Sequence, residues 1–176
     1  MNKEKMIEKL KIRVTPIGNG TAIDHIQPGK GLRIVEILGL NSDNAASIAL
    51  NTESKKMKEK RKDLILMENR FLNEEELNKI RLIARNATVN TIKNFKIEKK
   101  ETLDLPEKVQ GILKCINPIC ITNHEEIKTK FSIKNNPVQA KCFYCETAMN
   151  KEEIRKHIKW QRKKNVFVNK KRKNLF

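Results

Sequence analysis

Four cysteines, the only ones in the chain, fall between residues 115 and 145. Four residues separate Cys115 from Cys120, and two separate Cys142 from Cys145, with a longer loop between the pairs. Two closely spaced thiolate pairs are typical of a tetrahedral Zn²⁺ site. Four thiolates leave no open position for a substrate. The spacing therefore predicts one structural, non-catalytic zinc ion held by these cysteines.

Other chemistry stays open for the same residues. Two disulfides would also use all four thiols, but disulfides are rare in reducing compartments. The N-terminus is half charged and carries no apolar signal segment, so we expect a cytoplasmic protein. Cys142 and Cys145 alone have the spacing of a redox pair, which the presence of a second pair argues against. His124, in the loop, is a candidate replacement ligand or an exposed loop residue.

A second group of residues suggests a small anionic ligand. Asp24 and His25 stand side by side just before a predicted helix, and Lys99 and Lys100 end a predicted strand. A carboxylate can bind ribose hydroxyls, while lysine or histidine can bind phosphates. The same residues are also common as caps, loop residues and solvated strand ends. No glycine-rich phosphate loop accompanies them, so residue types alone leave a nucleotide site as one of two interpretations.

Catalytic chemistry has little support. The chain has three histidines, His25, His124 and His157, and none stands in a nucleophile–base–acid motif. We therefore expect a protein that is not itself an enzyme.

The elements that position these residues can be predicted from periodicity. Alternation predicts a strand over residues 10–17. Residues 46–51 and 61–68 are predicted to be further strands, and residues 21–26 also favour a strand. Helices are predicted from 28 to 38, ending at Gly39, and after Asn73, an N-cap followed by three glutamates. A fourth strand is predicted over 87–97. The order β-α-β-β-α-β is typical of an α+β, ferredoxin-like fold with an antiparallel sheet.

The remainder of the chain divides at a short linker. Residues 102–106 form this linker, and Pro106 suits the first position of a short helix over 107–113. We predict an N-terminal domain over 1–101, a small β-rich, zinc-ribbon-like domain over 102–150, and a basic C-terminal extension over 151–176. The cysteine segment is too small to fold by apolar burial alone, so metal binding and folding should be one event.

The net charge of +17 is unevenly distributed. Residues 151–176 contain eleven basic and two acidic residues, a net charge of +9, which leaves +8 for the first 150. Such a tail is typical of a solvated or partner-seeking extension. With Trp160, Phe167 and the cysteine pairs it raises the alternative of a nucleic-acid-binding zinc protein. No run approaches the roughly 20 apolar residues of a membrane span, so no membrane partner is expected.

Several motifs together resemble one known family. The segments GTAIDHI at 20–26, RKDLI at 61–65, EN at 68–69, ATVNTI at 87–92 and LPE at 105–107 stand in order before the cysteine cluster. In this order and spacing, over residues 10–150, the chain resembles the regulatory chain of aspartate carbamoyltransferase.

The resemblance implies a non-catalytic regulatory subunit that binds ATP and CTP and modulates the catalytic chain, so that pyrimidine biosynthesis follows nucleotide balance. Its N-terminal domain would pair with a second regulatory chain as a homodimer, and its zinc domain would contact the catalytic chain. Lys100 would then meet phosphates, Asp24 the ribose, and backbone near Ile17 and Phe95 the base. The implied nucleotide-binding residues are Val14, Ile17, Asp24, His25, Asn90, Ile92, Ile97 and Lys100, and the implied zinc ligands are Cys115, Cys120, Cys142 and Cys145.

Overall fold

A computed structural model describes residues 14–159 of the chain. Predictions that concern residues 1–13 and 160–176, including Trp160 and Phe167, lie outside the described residues. The N-terminal half contains β1 (Gly20–Ile26), α1 (Gly31–Ile37), β2 (Ala46–Glu53), β3 (Arg61–Glu68), α2 (Glu74–Ile83), β4 (Thr88–Lys93) and β5 (Lys96–Thr102).

These strands form one antiparallel sheet in the order β2-β3-β1-β4-β5. The first four strands and the two helices have the β-α-β-β-α-β order, so the α+β, ferredoxin-like prediction is confirmed. One face of the sheet is covered by the helices, since Ile23 and Ile65 of the sheet and Ile34 and Ile80 of the helices are fully buried in one core. The other face carries the polar residues discussed below.

Local signals explain where α2 begins and ends. The Asn73 side chain accepts from the Glu76 backbone N–H at 2.9 Å, and the Glu76 side chain accepts from the Asn73 N–H at 3.1 Å. This reciprocal capping box satisfies two N–H groups that lack helical partners. Glu74, Glu75 and Glu76 fill the first turn and Arg81 lies in the last, both favourable to the helix dipole. Gly39, with φ of 59°, follows α1 as predicted.

Asp63 ties the edge of the sheet to α1. Its carboxylate is completely buried and accepts from the Gly31 backbone N–H at 2.9 Å and from the Asn51 N–H at 2.8 Å. The first bond satisfies an N–H at the start of α1, and the second fixes Asn51, whose φ of 52° marks an irregular point in β2. A buried carboxylate is tolerated here because backbone donors bond to both of its oxygens.

Two predicted strands differ from the structure. Of the strand predicted over 10–17, the described part, 14–17, is not in a strand, because Pro16 has no N–H for a ladder. The strand predicted over 87–97 is instead a hairpin of β4 and β5. Asn94 and Phe95 form its turn with φ of 49° and 60°, a left-handed pair that matches the twist of a tight hairpin.

The C-terminal half is a second antiparallel sheet, in the order β6 (Lys108–Gln110), β7 (Lys130–Asn135), β8 (Val138–Cys142) and β9 (Ala148–Asn150). A short 3-10 helix, Ile121–Asn123, lies in the loop between β6 and β7. The helix predicted over 107–113 is wrong. Val109 is buried and pairs with Phe131 of β7, so burial in the sheet outweighs the helix-start preference of Pro106.

The first residues of the predicted basic extension are folded. Residues Lys151–Lys156 form a helix, α3, capped by Asn150. Ile154 and Ile158 are buried, and Ile158 forms a β-bridge with Leu113. The segment up to residue 159 is thus packed into the C-terminal half rather than solvated. Within residues 14–159, no helix has the length and apolar character needed to cross a membrane.

Candidate metal centre and effector face

The four cysteine sulfurs form one compact cluster. The Sγ atoms of Cys115, Cys120, Cys142 and Cys145 all lie within 4.8 Å of one another. The nearest pairs are Cys115 with Cys145, at 3.5 Å, and Cys120 with Cys142, at 3.9 Å. Each close pair joins the two halves of the motif, and these distances are far from the roughly 2.05 Å of an S–S bond. All four thiols are free, so the disulfide alternative is absent.

Two tight turns present the sulfurs to a common centre. Cys142 ends β8 opposite Phe131, and its N–H donates to the Thr147 carbonyl at 3.0 Å. Glu146 has a φ of 59°, and its N–H donates to the Cys142 carbonyl at 3.0 Å, which closes a turn. On the other side, the Asn123 side-chain amide donates to the carbonyls of Cys115, at 3.1 Å, and Asn117, at 2.7 Å. Backbone hydrogen bonds thus fix the Cys142–Cys145 turn, and the Asn123 side chain fixes the Cys115–Cys120 turn.

A threonine follows the second cysteine of each turn at the same spacing. The Thr122 hydroxyl oxygen lies 3.2 Å from Cys120 Sγ, and the Thr147 hydroxyl oxygen lies 3.3 Å from Cys145 Sγ. Hydroxyls at this range can donate to a thiolate and so orient a metal ligand. The prediction from spacing did not include these two residues, although their common position two residues after a cysteine is visible in the sequence.

The electrostatics of the cluster favour a bound cation. Burial raises the pKa of Cys115 well above its ordinary range, and it also raises that of Cys142. For Cys145 burial acts upward too, but hydrogen bonds from Thr147, Cys115 and Cys120 prevail and lower its pKa to about 6. A bound metal ion stabilises the thiolate form of its cysteine ligands, so metal binding would be accompanied by proton release from Cys115 and Cys142.

His124 does not belong to the cluster. Its side chain is exposed, and Nε2 lies 2.7 Å from the Pro118 carbonyl oxygen. This hydrogen bond fixes the loop between the first cysteine pair and β7. His124 is therefore an exposed loop residue, as one of the two interpretations predicted. The other interpretation, that it replaces a cysteine as a metal ligand, is wrong.

Five of the eight predicted nucleotide-binding residues share the open face of the N-terminal sheet. Opposed residues of antiparallel strands project to the same side, and the register gives three rows across β1, β4 and β5. These rows are Gly20–Ile92–Ile97, Ala22–Asn90–Lys100 and Asp24–Thr88–Thr102. We call this surface the effector face. Small residues at its centre, Gly20 and Ala22, leave room between the acidic and basic ends.

His25 and Asp24 stand where β1 becomes irregular. The register shifts between Ile23 and Ile26, and His25 has φ of 56°. Asp24 Oδ1 accepts from the His25 backbone N–H at 2.7 Å and from Lys62 Nζ at 2.6 Å. His25 Nδ1 lies 3.3 Å from Asp24 Oδ2, but the geometry is not that of a hydrogen bond. This nitrogen is buried and has no hydrogen-bond partner among the described residues. Lys62 was missed by the sequence analysis, although the RKDLI segment that contains it was noted.

Two groups on the effector face lack partners of their own. Asn90 Oδ1 is buried without a hydrogen-bond donor, and within residues 14–159 Lys100 has no carboxylate at ion-pair distance. Lys99, by contrast, pairs with Glu101 at 2.8 Å and lies opposite Thr91, on the helix-covered face. The strand alternation therefore separates the two lysines, and the hypothesis that both serve one anion is wrong for Lys99.

Val14 and Ile17 precede β1 and are both half-buried. The Phe95 N–H donates to the Gly18 carbonyl at 2.9 Å, and the Asn94 N–H donates to Asn19 Oδ1 at 3.1 Å. Residues 17–19 thus lie against the β4–β5 turn, beside the row that ends in Ile97. A cavity of about 230 Å³ opens on the opposite, helix-covered side and is lined by Lys99, Thr21 and Phe71 rather than by effector-face residues.

Two family models match the chain in succession. The model described as "Aspartate carbamoyltransferase regulatory chain, allosteric domain" matches residues 12–104, and the model of the metal binding domain of the same chain matches 107–155. The chain belongs to the family of aspartate carbamoyltransferase regulatory chains.

Individual regulatory chains agree with this assignment. The chain is 50% identical over 148 residues to the regulatory chain of Pyrococcus horikoshii, which covers 82% of this chain and 96% of the relative. It is 46% identical over 156 residues to that of Thermococcus kodakarensis, covering 87% and 100%. For Methanococcus maripaludis the identity is 44% over 143 residues, covering 81% and 95%.

The assignment settles the class of function. The chain is a non-catalytic subunit of the aspartate carbamoyltransferase holoenzyme, with an allosteric domain and a metal-binding domain that contains the four-cysteine cluster. A catalytic chain is accordingly its partner. The relatives are named as regulatory chains and give no support to a nucleic-acid-binding zinc protein.

Proposed function

We propose that this regulatory chain binds ATP and CTP on the effector face and thereby modulates aspartate carbamoyltransferase in pyrimidine biosynthesis. The observation that carries this proposal is that Asp24, Asn90 and Lys100 share one face of the sheet, with Asn90 directly opposite Lys100 and Asp24 in the adjacent row. Lys100 is an unpaired cation for the phosphates, and the Asp24 carboxylate is an acceptor for ribose hydroxyls. The buried Asn90 Oδ1 gains a donor if a ligand N–H or O–H reaches it.

The remaining predicted contacts complete the nucleotide site. Val14 and Ile17 precede β1, and Ile92 and Ile97 form the apolar end of the face near the β4–β5 turn. In the proposed site, backbone groups near Ile17 and Phe95 read the base against this apolar end, and His25 assists Lys100 at the phosphates. Lys62 holds Asp24 in place through the 2.6 Å contact.

Adjacent lysines offer a matched test of effector binding. Lys100→Ala should weaken ATP and CTP binding by roughly 10- to 100-fold, since a charge-assisted hydrogen bond contributes about 1.5–3 kcal/mol. Lys99→Ala removes the same side chain from the opposite face and should leave both affinities unchanged. Isothermal titration of the full chain measures this difference, and equal losses in the two variants would refute the proposed face.

Regulation requires that a nucleotide bind the states of the holoenzyme with different affinities. We propose that an effector changes the packing of the allosteric domain on the metal-binding domain, which passes the bias to the catalytic chain. The short connection between the halves supports this: the Leu103 N–H donates to the Ala87 carbonyl, and the Asn86 N–H donates to the Leu103 carbonyl, both at 2.8 Å. A change in β4 therefore reaches the linker directly.

The metal in the cysteine cluster is proposed to be one structural Zn²⁺. Four thiolate ligands in a closed cluster favour zinc among the common divalent ions, and they leave no position for a substrate. Metal analysis of the purified chain should give one zinc per chain. Replacement by Co²⁺ should produce the visible absorption of a tetrahedral tetrathiolate site, and an octahedral spectrum would contradict the assigned ligands.

The catalytic chain is proposed to bind beside the metal centre. Ile119 and Phe143 lie within the two cysteine turns and are 83% and 73% exposed, which is typical of anchor residues at interfaces. Phe143→Ser should weaken assembly of the holoenzyme. Leu32→Ser, at a 60% exposed leucine of the N-terminal half, serves as the control. Equal assembly of both variants in size-exclusion chromatography would exclude this surface.

A second regulatory chain is proposed to pair along β2. This strand is an edge of the sheet, and Ile48 and Leu50 on it are 40% and 39% exposed. Unpaired edges with apolar side chains favour strand addition. Ile48→Lys should shift the chain from dimer to monomer in analytical ultracentrifugation, and an unchanged dimer would place the contact elsewhere.

A further inference from the structure

A Cys-x-Thr sequence occurs twice in the cysteine cluster, at residues 120–122 and again at 145–147. In both copies the cysteine is the second of its pair. The Thr122 hydroxyl oxygen lies 3.2 Å from Cys120 Sγ, and the Thr147 hydroxyl oxygen lies 3.3 Å from Cys145 Sγ. Two cysteine turns of different length thus bring a hydroxyl group to the same position relative to a sulfur.

Backbone hydrogen bonds place each threonine. Thr122 is the middle residue of the 3-10 helix, where the Asn123 N–H donates to the Cys120 carbonyl at 2.8 Å. The Thr147 carbonyl accepts from the Cys142 N–H at 3.0 Å. A valine at either position keeps these backbone bonds and nearly the same side-chain shape. The role of each hydroxyl can therefore be tested apart from the fold of its turn.

We propose that Thr122 and Thr147 are positioning residues of the metal centre, whose hydroxyls donate to the thiolates of Cys120 and Cys145. Four thiolates carry more negative charge than one divalent ion neutralises. A hydrogen bond to a thiolate lone pair orients the ligand and disperses part of this charge. The inference rests on the metal centre proposed above, and it assigns residues outside the four ligands to the retention of the ion.

The two hydroxyls should contribute unequally. Thr122 is 8% exposed and Cys120 is 2% exposed, so water cannot replace a hydroxyl that is lost there. Thr147 and Cys145 are half-buried, and the Thr147 backbone N–H also bonds to the Cys145 sulfur. A valine at position 147 keeps that N–H, and solvent reaches the site. Retention of the metal should therefore depend mainly on Thr122.

Zinc affinity and cobalt absorption of the purified full chain test this inference. Thr122→Val should weaken zinc binding about 10- to 100-fold in competition with a chelator. Thr147→Val should weaken it by less than about tenfold, because a water molecule can take the place of its hydroxyl. In the Co²⁺ form, Thr122→Val should move the sulfur-to-cobalt charge-transfer band to longer wavelength, because a thiolate without its hydrogen bond is oxidised more easily. Thr122→Ser keeps the hydroxyl and should restore both the affinity and the band.

Thr129→Val is the matched control. Thr129 is completely buried in the same half of the chain, and its hydroxyl donates to the Leu113 carbonyl at 2.7 Å rather than to a sulfur. This variant should lower the midpoint of thermal unfolding and leave the charge-transfer band in place. A band shift in Thr129→Val equal to that in Thr122→Val would overturn the inference, because the shift would then follow a general loosening of the fold.

The remaining outcomes are equally decisive. An unchanged band and affinity in Thr122→Val, a larger loss of affinity in Thr147→Val, or no recovery in Thr122→Ser would each overturn the inference. If Thr122→Val does not fold, the band of Thr147→Val is the measurement, and it should shift in the same direction by a smaller amount; an unshifted band there would overturn the inference. An unaltered chain that binds neither zinc nor cobalt would instead contradict the metal centre itself.

Discussion

Replacing Cys142 by serine should unfold the metal-binding half while leaving the N-terminal sheet intact. Structural zinc contributes about 10–16 kcal/mol of apparent binding free energy, so losing one of four ligands removes about 3 kcal/mol. Cys142 is 1% exposed and opposite Phe131, and a buried unsatisfied hydroxyl costs about 1–3 kcal/mol more. A core of roughly 50 residues supplies no more than about 3–5 kcal/mol. The combined loss of about 4–6 kcal/mol is as large as the contribution of this core, so the sheet should open far more often.

Hydrogen exchange measured by mass spectrometry tests this loss region by region. In Cys142→Ser, amides of β7 and β8 should exchange at least 100-fold faster, because about 3 kcal/mol corresponds to more than two powers of ten. Amides of β1 and β3 should keep their protection. Lys141→Ser, which places the same residue one position away, should resemble the unaltered chain because it breaks only a surface ion pair. Protected β7 and β8 amides in a metal-free Cys142→Ser chain would refute the reasoning.

Three further substitutions test the N-terminal half by denaturant unfolding. Asp63→Asn places an NH₂ group opposite one of the two backbone N–H donors, so it should lower the free energy of unfolding by about 2–3 kcal/mol. An unchanged free energy of unfolding would mean that these hydrogen bonds do not contribute to stability. Gly20→Ala places Cβ 2.0 Å from a backbone oxygen at a φ of 133° and should lower the free energy of unfolding by more than about 3 kcal/mol. Gly29→Ala, where Cβ would meet open space at a φ of 82°, should lower it by about 1 kcal/mol. Burial lowers the pKa of Lys30 to about 8, so Lys30→Met should stabilise the folded chain by on the order of 1 kcal/mol at pH 7, after allowance for solvent screening. This gain should decrease above pH 8, because Lys30 of the folded state loses its proton there while Lys30 of the unfolded state is still charged. A gain in stability at pH 10 equal to that at pH 7 would contradict the lowered pKa.

Local chemistry made much of the N-terminal fold predictable. Asn73 with Glu76 carries a complete capping box in four residues, and β3 was predicted with its observed bounds from its local run of residues. The β4–β5 turn was not predictable in the same way. Asn94 tolerates a left-handed conformation, but Phe95 does not favour one, so no local signal interrupts the β-rich segment there.

Long-range pairing explains what the sequence could not show. The cysteine spacing predicted that the four sulfurs would cluster, since each pair is local and the cluster needs only one loop closure. The separation of Lys99 from Lys100 required the register of β4 and β5. The contact between Asp24 and Lys62 joins residues far apart in the chain. Likewise, the bridge between Leu113 and Ile158 makes residues 151–159 part of the C-terminal half, although their composition is that of a solvated tail.

The central claim is that effectors on the open face of the allosteric domain modulate the catalytic chain. Aspartate saturation curves of the holoenzyme, recorded with and without ATP and CTP, test it most directly. For the unaltered chain, at least one nucleotide should shift the half-saturating aspartate concentration, and Lys100→Ala should abolish that shift while Lys99→Ala preserves it. Curves of the unaltered holoenzyme that neither nucleotide moves would contradict the account.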